Sequence, residues 1–264
     1  MLAHPAMPKM GSAAIVARYA LLEAVRGGLP WLGAACIAAA LALAGFLAQV
    51  AITEGAQLQA AVAAAFLRAS AAFLVAAHVV ASIVREENDK GLELALALPI
   101  SRPAWYLGKL AGFAAAGALL ATAFALPLAA WARPADLAAW WLSLAAEAAL
   151  VAAAALFFSV VLAQMVAAIA ATLGLYLLAR AIAAIQAIAG GPLAAGDSVL
   201  GAAARWSVEA IALVLPRLDA VTRTEWLLYG APPAAELAGA LAGIVLYLAL
   251  LTAAGLFDFS RRNL

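Results

Sequence analysis

The chain has 264 residues, of which 69% are apolar and 11% charged, with 15 Lys and Arg against 14 Asp and Glu. Soluble domains average about 45–50% apolar and about 25% charged, so this few charges cannot clothe a water-soluble protein of this length and the bilayer has to be the solvent. A net charge of +1 leaves no basic patch for nucleic acid, and the single cysteine, Cys36, excludes a disulfide within the chain and a thiolate metal site.

Residues 1–28 read as a cytosolic tail and a helix. Met1–Gly28 carries Lys9, Arg18, Glu23 and Arg26 and has no compact apolar core ahead of a cleavage site, so it is not expected to be a cleaved signal. Within it, Ala13–Arg26 places Ile15, Val16, Tyr19, Leu22 and Val25 on or near one helical face, with Arg18 and Arg26 toward another. That pattern suits a helix lying in the headgroup plane, or else an ordinary lead-in to the first span.

A bilayer core needs about 20 apolar residues per helix. Spans are expected at Leu29–Ile52, Ala60–Val84, Ala104–Trp131, Leu137–Leu162, Met165–Ile188 and Ala234–Phe257, so that 29–257 is one transmembrane domain and 258–264 a charged tail. The stretch Ala145–Ala187 is nearly continuous, and only its length forces a turn near Ser159–Gln164. Gly190-Gly191-Pro192 ends the fifth span, and in the loop 189–233 a helix is expected at Ala202–Leu215, lying on the outer face.

Lys and Arg near the span ends set the orientation. The side holding the termini carries Lys9, Arg18, Arg26, Arg85, Lys90, Arg102, Lys109, Arg261 and Arg262, whereas the other carries Arg133, Arg205, Arg217 and Arg223. Nine against four places both termini in the cytoplasm. Trp31, Trp131, Trp140 and Trp141 fall at the expected interfaces.

The connection Arg85–Lys109 is too long for a tight turn and too apolar for a solvated loop. Asn88 and Asp89 can cap a short helix, Leu92–Leu98 continues it and Pro99 ends it. Ser101 can then cap the next helix, with Pro103 in its first turn. Leu92, Leu94, Leu96 and Leu98 need an apolar partner, and the chain has no cytosolic domain to supply one. A docking surface for a separate protein follows.

This segment resembles the loop between the second and third spans of the membrane subunits of type-2 ABC exporters. The likeness rests on Glu86-Glu87, Gly91-Leu92-Glu93, Leu96, Leu98-Pro99-Ile100-Ser101-Arg102 and Leu107-Gly108-Lys109. Leu215-Pro216-Arg217-Leu218-Asp219 and Trp226-Leu227-Leu228-Tyr229-Gly230 look like that family's segment before its last span. The resemblance implies an all-α polytopic permease in a bacterial cytoplasmic membrane, with an N-terminal interfacial helix and a cytosolic coupling helix at Gly91–Arg102. It also implies that Glu86, Glu87, Gly91, Leu92, Glu93, Leu96, Leu98, Pro99 and Arg102 engage the ATPase. No GxxxxGK[ST] loop exists here, since Gly108-Lys109 is followed by Leu110, so ATP and Mg²⁺ are expected on a separate partner. Two copies of that ATPase and a second copy of this chain, or a similar permease, complete the implied assembly. The permease itself is expected to be no enzyme and to need no cofactor.

Three ionisable residues fall inside expected spans: Arg68, Glu147 and Arg180. Each lies roughly 12–15 Å below the outer boundary, counting 1.5 Å per residue. Either they form a polar cluster, with Glu147 pairing one arginine and the other facing the pore, or each arginine snorkels outward. His78 reads as a buried, hydrogen-bonded histidine, and Gln49, Gln164 and Gln186 as helix–helix donors. A membrane-embedded enzyme would need a clustered nucleophile or paired acids at helical spacing, and neither is present. A non-transporting scaffold fits the poverty of catalytic groups but leaves the leucine-rich segment unexplained.

Overall fold

The computed structural model describes residues 11–50, 55–89, 100–189 and 199–261. Every regular element among them is helical: α1 (Ser12–Arg26), α2 (Leu29–Val50), α3 (Gly55–Asn88), α4 (Arg102–Leu128), α5 (Pro134–Leu162), α6 (Met165–Ala189), α7 (Val199–Val214), a 3-10 turn (Leu218–Ala220), α8 (Glu225–Tyr229) and α9 (Ala234–Arg261). Six of them, α2 to α6 and α9, are long and apolar enough to cross a membrane. They coincide in order with the six expected spans.

Local chemistry sets the helix ends. Ser101 opens α4, its hydroxyl accepting from the Ala104 N–H at 3.4 Å, with Pro103 in the first turn. At the far end Pro127 has no N–H to donate, and α4 stops at Leu128, short of the expected Trp131. Ala163 closes α5 at φ 51°, a left-handed conformation unusual for a residue with a Cβ. The joint between α5 and α6 is therefore only Ala163 and Gln164, inside the stretch where length alone demanded a turn.

At the end of α3, Asn88 is the last helical residue rather than the cap of a following helix, and the Asp89 N–H bonds back to the Arg85 carbonyl at 2.9 Å; the short helix expected at Leu92–Leu98 lies outside the described residues. Arg85, Glu86 and Glu87 are good helix formers, so the last turn persists beyond the apolar part. At 34 residues α3 is about 51 Å long, well beyond the roughly 30 Å of a hydrocarbon core.

Burial divides the bundle into an inner and an outer group. In the most apolar 18-residue stretch, 67% of residues are buried in α5, 56% in α3 and 50% in α4, against 17% in α2 and 11% in α9. The centre of α5 is a run of small side chains, Ala152–Ala155, buried on every side. Small residues there let neighbouring backbones approach, which is how helices pack where no hydrophobic effect drives them together.

The same device docks α1 along the first turns of α4. A Cβ at Gly108 would lie 2.6 Å from the Ala13 carbonyl oxygen, and one at Gly112 would lie 2.6 Å from both the Ala17 carbonyl oxygen and the Ala20 Cβ. Val16, Ala20 and Ala24 are buried in this contact. Of the residues expected to form the apolar face of this helix, Val16 is buried in this contact, whereas Ile15, Tyr19 and Val25 are exposed on the side of α1 turned away from α4.

Candidate functional site

The three intramembrane ionisable residues of the sequence come together in one buried network between α3, α5 and α6. Arg68 of α3 is fully buried; its Nη1 donates to Glu147 Oε2 at 2.5 Å and its Nη2 to Ser143 Oγ at 2.9 Å. Its guanidinium carbon also sits 5.2 Å from the centre of the Trp140 ring. Glu147, 1% exposed, accepts a second bond at Oε1 from the Tyr176 hydroxyl at 2.7 Å. Arg180 completes the chain: its Nη1 donates to the Tyr176 oxygen at 2.9 Å and stands 4.0 Å from Glu147 Oε1.

Outward snorkelling is thus closed to Arg68, which has no exposed surface. Glu147 takes Arg68 as its direct partner and reaches Arg180 chiefly through Tyr176. Sequence reasoning missed Trp140, Ser143 and Tyr176. Their signal was helical spacing, since Trp140 and Ser143 precede Glu147 by seven and four residues, and Tyr176 precedes Arg180 by four. Trp140 correspondingly is no interfacial ring but a fully buried wall of this network.

The donors outnumber the acceptors. Two guanidiniums and the Tyr176 hydroxyl face a single carboxylate, and both Arg68 Nε and Trp140 Nε1 are buried with no hydrogen-bond partner among the described residues.

A second group of polar contacts gathers at the end of the bundle where α1, the close of α3 and the start of α4 meet. Glu86 Oε2 is held by Lys109 Nζ at 2.5 Å, bracing α3 against α4, and the Lys109 ammonium lies 5.8 Å from the Trp105 and Phe113 ring centres. Arg102 Nη1 donates to the carbonyls of Phe259 at 3.4 Å and Ser260 at 3.1 Å in the last turn of α9. Those carbonyls carry the negative end of the helix dipole, which favours a cation there. Phe259 is buried there, stacked at 5.1 Å on Trp105, while Gly255 leaves room for the Tyr106 hydroxyl, which a Cβ would overlap. Of the residues expected to face an ATPase, Glu86 and Arg102 are therefore bound within the chain, and Glu87 is half-buried at the end of α3. Gly91, Leu92, Glu93, Leu94, Leu96, Leu98 and Pro99 lie outside the described residues, as does the Gly190-Gly191-Pro192 terminator.

At the opposite end, the segment before α9 folds onto the bundle. Leu218, Val221, Trp226 and Leu227 are buried, and the Ala231 N–H donates to Asp136 Oδ1 at 2.7 Å. Arg133 Nε holds the other oxygen of Asp136 at 2.8 Å. Gly230, at φ 109°, makes the reversal that aims Ala231 at this carboxylate. The helix α7 matches the expected Ala202–Leu215, and its Trp206, Leu213 and Val214 are exposed.

His78 packs edge-on against Phe113 at 5.9 Å, and its Nε2 has no hydrogen-bond partner among the described residues. Gln49 and Gln164 are exposed rather than bridging helices, and Gln186 lines a groove between α6 and α7. No protein-family model matches the chain, and no curated protein matches it.

Proposed function

We propose that the chain is the permease subunit of an ATP-binding-cassette exporter, embedded in a bacterial cytoplasmic membrane with both termini in the cytosol. In this reading two such chains form the translocation path and two separate ATPase subunits, carrying ATP and Mg²⁺, drive it. The observation that supports it best is how the helices on either side of the segment 90–99 are held. Before it, α3 is about four turns longer than a bilayer requires, and after it α4 opens at the capping Ser101. The Glu86–Lys109 pair joins those two helices, and Arg102 joins α4 to the last turn of α9. A push delivered to this segment from outside therefore reaches three spans through short, charged contacts. A leucine-rich sequence between helices joined in this way is suited to receiving force from a partner, as the family resemblance implies.

The test is a charged substitution at Leu96 in the complex reconstituted with its ATPase. Leu96→Asp is expected to abolish substrate-linked ATPase activity while the bundle keeps its thermal stability. Normal ATPase binding and transport by that variant would overturn the reading, and failure of the wild type to co-purify with any ATPase would favour a scaffold.

A further inference from the structure

The Arg68–Glu147–Tyr176–Arg180 network carries two fixed positive charges and one carboxylate. An arginine does not shed its proton, so the imbalance persists at any physiological pH. Unbalanced charge at membrane depth is costly, and residues that keep it normally have a partner. Arg68 is sealed by Glu147, Ser143 and Trp140, so the imbalance falls on Arg180. The Arg180 side chain is 31% exposed. Its one hydrogen bond among the described residues goes to a neutral hydroxyl, and its distance to the Glu147 carboxylate, 4.0 Å, is too long for another. Among the described residues, most of the guanidinium fork consequently has no partner on its open side.

We infer that Arg180, oriented by Tyr176 and Glu147, is a binding site for the oxyanion group of an acidic amphiphile, entering from the exposed side of α6. A planar guanidinium takes a phosphate or carboxylate in a bidentate manner, and such bonds strengthen where water is scarce. The hollow beside Tyr176, lined by Leu150, Val151, Ala154, Thr172 and Leu218 among others, holds only about 10 Å³. An anion cannot reach the network through it, which leaves the open face of Arg180. The Tyr176 hydroxyl has a fixed polarity in this arrangement: it donates to Glu147 and accepts from Arg180. It therefore holds the guanidinium in place without neutralising it. The inference needs the six helices to lie in a bilayer but needs no ATPase partner, so it stands or falls separately from the transport reading.

The full chain in a neutral detergent is titrated with phosphatidylglycerol, with phosphatidylcholine of the same acyl chains, and with inorganic phosphate, following thermal stability and lipid-bound mass. Phosphatidylglycerol is expected to bind and stabilise where phosphatidylcholine does not. Competition by inorganic phosphate identifies a site for the free oxyanion, and its absence identifies one that needs the acyl chains as well; either supports the inference. Arg180→Gln is expected to weaken binding by about tenfold or more, the loss of one charge-assisted pair. Arg180→Lys is expected to retain part of it. Tyr176→Phe, which removes the hydroxyl that orients the guanidinium and leaves the Arg68–Glu147 pair in place, is expected to weaken it by less than Arg180→Gln does. Equal binding of both lipids to the wild type, or undiminished binding to Arg180→Gln, would overturn the inference.

Discussion

Arg68 and Glu147 illustrate what a single pair of charges costs and yields inside a bundle. Neither has meaningful exposure, so each would be an uncompensated charge without the other. Removing one partner of such a pair typically costs about 3–5 kcal/mol, whereas replacing both by apolar residues can be near neutral. The single changes Arg68→Met and Glu147→Met are therefore each expected to destabilise strongly. The double change should cost less than their sum, by a coupling of about 1–3 kcal/mol. Unfolding titrations in mixed micelles measure this directly, and strict additivity would mean that the pair contributes nothing as a pair. A smaller effect of opposite sign is expected at Ala163, whose positive φ strains a residue with a Cβ. Ala163→Gly is expected to stabilise by about 0.5–1 kcal/mol, read from the same titrations.

At the scale of elements, the contact between α1 and α4 depends on two absent methyl groups. Gly108 and Gly112 are spaced so that the first meets Val16 and the Ala13 carbonyl and the second Ala20 and the Ala17 carbonyl, at distances no Cβ could occupy. Gly112→Val should leave α4 helical while undocking α1. The check is amide hydrogen exchange, which is expected to accelerate across 12–26 and to stay unchanged in α5. This contact was open to sequence reasoning, because Gly-x-x-x-Gly on an apolar helix is a packing signal. The six long helices were legible for the same reason that membranes are restrictive: length and hydropathy leave few choices. What sequence could not supply was the partner of each polar group. Counting residues placed Arg68, Glu147 and Arg180 at one depth, but Tyr176 as the link needed the rotation of α6. The bond from Arg102 to Phe259 and Ser260 crosses 157 and 158 residues and ends on backbone carbonyls, which leave no trace in side-chain pattern.

For the molecule as a whole, α9 is the least embedded of the six long helices, packing half-buried side chains along α5 and pinned at both ends by polar contacts. Only Ile244, Gly255 and Phe259 of this helix are buried. At one end Asp136 holds the Ala231 backbone just before the helix, and at the other Arg102 holds its last carbonyls. Asp136→Ala is expected to cost about 1–3 kcal/mol, since it leaves a half-buried N–H without its acceptor, and Arg102→Ala somewhat less. The two sites lie at opposite ends of the bundle, so the double variant should be additive within about 0.5 kcal/mol. A marked excess over additivity would mean that α9 detaches as a unit once both ends are free. Thermal unfolding of the four variants decides it.

The Arg68–Glu147 bond also has a consequence in time. The two residues are 79 positions apart, so a ribosome working at about 5–20 residues per second needs roughly 4–16 s to produce the second after the first. During that interval α3 enters the bilayer with an arginine whose insertion penalty is about 2.5–3.5 kcal/mol and whose counter-charge does not yet exist. The long apolar stretch of α3 has to offset this alone. The newborn helix is at its most vulnerable before α5 arrives, so synthesis stalled between positions 100 and 140 should expose α3 to membrane proteolysis that the finished protein resists.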